Sequence, residues 1–85
     1  MSLNNFGTPV FLAEGANTVW TISFTGDPGS QFFTADIKIP NQGAVHWADQ
    51  QKKRKDNNGN ATYSVVITNQ GPGGCFHNLQ GGGLV

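Results

Sequence analysis

The chain has 85 residues, five basic and five acidic side chains, 36% hydrophobic residues and twelve glycines. That length accommodates one domain with one core and excludes a core plus a separate cofactor domain. Charge balance removes any whole-molecule field that would steer the chain to nucleic acid or to an anionic membrane. Cys75 is the only cysteine, so an intrachain disulfide is excluded.

A chain without a disulfide suits a reducing compartment, although export does not require one. Aromatic residues make up 11% of the sequence and offset the low apolar content, because Phe and Trp each bury a large area. Residues 1–5 carry neither a basic region nor an apolar run, and no segment approaches the roughly 20 apolar residues of a membrane helix. The expectation is a soluble protein, with the cytoplasm as the default compartment and no membrane partner.

In chain order, Pro9, Val10, Phe11, Leu12 and Ala13 form a short apolar run that reads as an edge strand. Residues 18–25 alternate Trp20, Ile22 and Phe24 against Val19, Thr21, Ser23 and Thr25, the period of a half-buried strand. Gly26, Asp27, Pro28, Gly29 and Ser30 then supply turn chemistry. A third strand over residues 31–39 places Phe33, Ala35, Ile37 and Ile39 on one face, and Phe32, Thr34, Asp36 and Lys38 on the other. Residues 40–43 close it. Residues 44–48 predict a shorter strand, which the polar residues 50–55 extend as an exposed arm; a helix over 48–55 would have no apolar stripe to hold it.

Residues 61–69 are the best-bounded strand, with Tyr63, Val65 and Ile67 on one face and Thr62, Ser64, Val66 and Thr68 on the other. Asp56, Asn57, Asn58, Gly59 and Asn60 form a turn before it, and the Gly-Pro-Gly-Gly run at 71–74 ends it. Such a strand belongs at the centre of a sheet. Residues 75–79 predict a final strand, and 80–85 a bulged or disordered end. These segments describe an all-β, antiparallel, immunoglobulin-like sandwich of about six to seven strands. Its expected core is Trp20, Ile22, Phe24, Phe33, Ile37, Tyr63, Val65 and Ile67.

The segment from Gly59 through Tyr63, Val65, Ile67 and Asn69 to Gly71 resembles the strand pattern of bacterial immunoglobulin-like adhesion and scaffold modules. It is similar in layout to fibronectin type III modules. The resemblance covers about a fifth of the chain. It implies a sandwich fold and a general binding role, and it assigns no functional residues. The chain departs from that pattern in lacking a cysteine pair and in placing Trp20 early.

Three constellations bear on chemistry. Lys52, Lys53, Arg54 and Lys55 hold four of the five basic residues and could pair with phosphates, with Trp47 nearby as a stacking surface; Asp49 and Asp56 flank the run and dilute its field. Trp47 is also the candidate for stacking on a sugar, because Trp20 and Tyr63 fall on inward faces. His46, Cys75 and His77 are the available soft ligands, but no fourth ligand accompanies them, so no metal or cofactor is expected. No acid–base pair, activated nucleophile or phosphate-cradling loop is evident, which points away from an enzyme. The expectation is a non-enzymatic binding or interaction module, with a carbohydrate-binding domain as the alternative and nucleic-acid binding third. Val10, Phe11, Phe32 and Val66, lying outside the main faces, point to a homodimer or another protein partner.

Overall fold

The computed structural model describes residues 4–38 and 44–83. Six strands run in the order β1 (Asn4–Leu12), β2 (Asn17–Ser23), β3 (Gln31–Ile37), β4 (Val45–Lys55), β5 (Ala61–Gly71) and β6 (Cys75–Gly83). They form two three-stranded antiparallel sheets, β1-β6-β3 and β2-β5-β4. The fold is all-β, as the alternation predicts, and the two sheets pack as a small sandwich. Only β4 and β5 are both consecutive in the chain and paired; every other link crosses between sheets.

β5 is the centre of its sheet for the reason its sequence gives. Ala61, Tyr63, Val65, Ile67 and Asn69 are buried, while the intervening Thr and Ser positions are half-buried. β2 lies against it in unbroken register, with Trp20 opposite Val65 and Ile22 opposite Tyr63, so these side chains enter the core. Leu12, Phe33 and Leu79 close the core from the other sheet. Trp20, Ile22 and Phe24 pack against it at half burial, and Ile37 is also half-buried. Phe24 lies one residue beyond β2 and stands edge-on to Tyr63, with ring centroids 5.5 Å apart.

Three expectations change. β1 begins at Asn4 rather than Pro9, because a register shift between Phe6 and Val10 absorbs Gly7 and Pro9 without ending the pairing with β6. Val10 lies opposite His77 on the inward side and is half-buried, not outside the main faces. The run Gln80 to Gly83 is ordered strand at the middle of a sheet rather than a disordered end. Gly81 serves packing: a Cβ there would press on the Phe33 ring and lie 2.7 Å from the Phe32 carbonyl oxygen. Ile39, residues 40–43, Leu84 and Val85 lie outside the described residues. Among the described residues no helix is long and apolar enough to cross a membrane.

Candidate functional site

The candidate residues Trp47, Lys52, Lys53, Arg54 and Lys55 all stand on β4, and one irregularity in that strand decides how they are shared between its faces. His46, Trp47, Ala48 and Asp49 pair in sequence with Asn69, Thr68, Ile67 and Val66; Lys52 then pairs with Ser64. β4 therefore spends three residues where β5 spends two, which is a bulge. Gln50 takes a positive φ of 52° there, a conformation non-glycine residues seldom adopt. The extra residue inverts the alternation. Trp47, Lys52 and Arg54 lie opposite Thr68, Ser64 and Thr62 on the outward side, whereas Lys53 and Lys55 lie opposite Tyr63 and Ala61 on the inward side.

The two inward lysines meet Asp27, from the turn before β3. Lys53 Nζ lies 2.7 Å from Asp27 Oδ1 and Lys55 Nζ 2.9 Å from Oδ2. Those ammonium groups, with the Gly29 amide, hold the Asp27 carboxyl far below the usual carboxylate range. Asp27 in turn raises the Lys53 pKa. Lys53 also sits 5.5 Å from the Tyr63 ring centroid, and the Tyr63 hydroxyl donates to the Gly29 carbonyl. Two of the four cations of the basic run are thus engaged by Asp27, whose single charge offsets one of them, rather than by the flanking Asp49 and Asp56. Asp56 instead accepts from the Asn58 and Asn60 amides in its own turn.

The bulge also projects Gln51 toward β3. Its Oε1 accepts from the Phe33 amide and its Nε2 donates to the Phe33 carbonyl, both at 3.3 Å. One side chain therefore stands in for a neighbouring strand and bridges the two sheets along the β3–β4 side. Beside this bridge lies a cleft of about 200 Å³, lined by Ser30, Gln31, Gln51, Lys52, Lys53 and Tyr63 over Phe33.

On the outward side the site is flat. Trp47 is 43% exposed and lies across from Thr68; Thr62 and Ser64 continue the row, and Ser23 Oγ lies 3.3 Å from Thr62 Oγ1. This surface offers one aromatic ring, a line of hydroxyls and two cations, with the Asp49 carboxylate opposite Val66 between Trp47 and Lys52.

His46, Cys75 and His77 all come inward, but not as one ligand set. Cys75 Sγ contacts the Lys38 carbonyl at 2.7 Å. His77 is fully buried between two partners: the Trp20 indole N–H donates to Nε2 at 3.0 Å, and Nδ1 lies 3.2 Å from His46 Nδ1. Because Trp20 can only donate, the His77 proton belongs on Nδ1 and points at His46. Burial pushes the His77 pKa down to about 4, with His46 adding to the shift, and burial lowers that of His46 as well. Among the described residues no group of three His, Cys, Asp or Glu side chains is placed to hold a metal ion.

Sequence reasoning missed Asp27, Gln51 and the Trp20–His77–His46 chain. Their partners lie 18 to 57 residues away in sequence, so no local pattern announces them. Comparison with protein-family models, curated proteins and solved structures gives no match, so the site stands on its own geometry.

Proposed function

We propose that the chain is a non-enzymatic binding module that recognises its ligand on the outward face of the β2-β5-β4 sheet. The supporting observation is that Trp47, Lys52 and Arg54 share this face with Thr62, Ser64 and Thr68. An indole face stacks on an apolar sugar face, and hydroxyls and cations bond to sugar hydroxyls and acidic substituents. An oligosaccharide carrying acidic groups suits that combination. Nucleic acid suits it less, because affinity for phosphate backbones grows with the number of available cations, and Lys53 and Lys55 are engaged by Asp27. Catalysis is no part of this reading: Cys75 rests on a backbone carbonyl and His77 is enclosed between Trp20 and His46.

A glycan array holding neutral and acidic saccharides, run beside a nucleic-acid shift assay at low and moderate salt, tests it. Saturable saccharide binding that Trp47→Ala abolishes, and that weakens when Lys52 and Arg54 become Gln, is the expected result. A blank array, or binding indifferent to Trp47→Ala, overturns it. Shifts that fall steeply with salt and need Lys52 and Arg54 would replace it with a nucleic-acid role.

A further inference from the structure

Each three-stranded sheet leaves two open edges, and an open edge is a template for another strand unless something blocks it. Three of the four edges are blocked. β1 carries Pro9 and the register shift beside Gly7. β3 has its Phe33 amide and carbonyl taken by Gln51. β4 carries the bulge at Gln50 together with Lys52, Lys53 and Lys55. β2 carries none of these. From Asn17 to Ser23 it has no proline, no charge and no break in register, and its only strand neighbour among the described residues is β5.

The pairing fixes which groups face the open side. Beyond the two ends of β2, the Asn69 amide donates to the Ala16 carbonyl and the Phe24 amide donates to the Ala61 carbonyl. Even-numbered residues therefore turn their backbone groups to β5. By antiparallel alternation, Asn17, Val19, Thr21 and Ser23 turn theirs outward.

We infer that this edge is a homodimer interface, in which β2 pairs antiparallel with β2 of a second copy and joins two sheets into one of six strands. The edge is self-complementary. With the two-fold axis at Trp20, Val19 faces the partner's Thr21 and Asn17 the partner's Ser23, so each outward amide meets an outward carbonyl. This is the isologous contact of a two-fold dimer. No charge opposes a like charge along it, and a chain with five acidic and five basic residues does not repel its own copy at long range. Val19, 63% exposed, finds cover beside the partner's Thr21. The two Trp47 faces would then lie on one continuous surface, although the dimer does not depend on what that surface binds.

Hydrogen exchange, read residue by residue at low and high micromolar concentration alongside sedimentation, is the test. The amides of Asn17, Val19, Thr21 and Ser23 should slow about tenfold or more as the dimer forms, while those of Thr18, Trp20 and Ile22, already bonded to β5, change little. Val19→Lys, at an exposed position, should give a monomer with unchanged circular dichroism and no such slowing. A clean monomer at high micromolar concentration overturns the inference. So does a dimer whose odd-numbered β2 amides exchange at the monomer rate; should Phe11→Ser dissolve that dimer, the Phe11–Phe76 pair on the other sheet is the interface instead.

Discussion

Acidification should destabilise this fold in a window set by His77. In the folded state His77 has no exposed surface, accepts from Trp20 at Nε2 and directs its own proton toward His46. A second proton must go on Nε2, where it meets the indole N–H and removes that hydrogen bond. The groups around the ring offer no compensating charge. His46 faces it from β4, Cys75 shares its face on β6, and Trp20 faces it from β2; Val10 on β1 and Ile37 on β3 are its cross-strand neighbours. Asp36 lies opposite Asn78 on the other side of the sheet and is bound to Lys38.

The sign and size follow from the depressed pKa. The unfolded chain takes up the proton near 6.5 and the folded chain only near 4. Between those values the unfolded state binds more protons, so the stability present above pH 6.5 is lost as pH falls toward 4. At about 1.4 kcal/mol per pH unit, His77 alone accounts for roughly 3 kcal/mol. His46 acts in the same direction. A domain of this size has only about 5–15 kcal/mol to lose. Asp27 and Asp56, whose pKa values are also lowered, act in a separate window below their ordinary 3.8. Urea unfolding at pH 7.5, 5.5 and 4.5 should show a steady fall, and His77→Gln, which can still accept from Trp20, should flatten the slope. A stability constant from pH 7 to 4.5, or a His77 ring signal titrating near 6.5 in the folded protein, would refute this account.

Gly81→Ala should destabilise the fold by about 1–3 kcal/mol, since the new methyl group must displace the Phe33 ring or the Phe32 backbone; thermal melting measures it. Gln51→Ala should cost about 1 kcal/mol and speed exchange at the Phe33 amide, with amides in β5 unaffected. Asp27→Asn should release Lys53 and Lys55, so the variant should elute later from a cation exchanger and bind polyanions with a steeper salt dependence. A polyanion salt dependence unchanged from the parent's would show that those lysines were never engaged.

The parts of the fold legible in the sequence are those where burial follows a local period. Tyr63, Val65 and Ile67 announce their face by alternation alone, as do Trp20 and Ile22, because a one-residue slip would put all of them in solvent. The missed parts are those where a distant residue supplies the cause. Nothing in Gly81, Gly82 and Gly83 reveals that Phe33 fills the space left by an absent Cβ, so the run reads as flexible. The histidines read only as soft ligands, with Cys75, short of a metal set, because Trp20, which fixes the proton on His77, lies 57 positions away.

The candidate site shows the same limit most sharply, because there strict alternation predicts the wrong set. With an uninterrupted β4, Trp47 would share a face with Lys53 and Lys55 by the two-residue period. The bulge at Gln50 moves it to the face of Lys52 and Arg54, and the same displacement carries Lys53 and Lys55 within reach of Asp27. It also projects Gln51 onto β3. One inserted residue therefore selects which cations stand beside the exposed indole and engages the remaining pair with Asp27. It also blocks the neighbouring sheet edge. These outcomes share a backbone cause, so a change that removed the bulge would alter all of them together, whereas a side-chain substitution alters one.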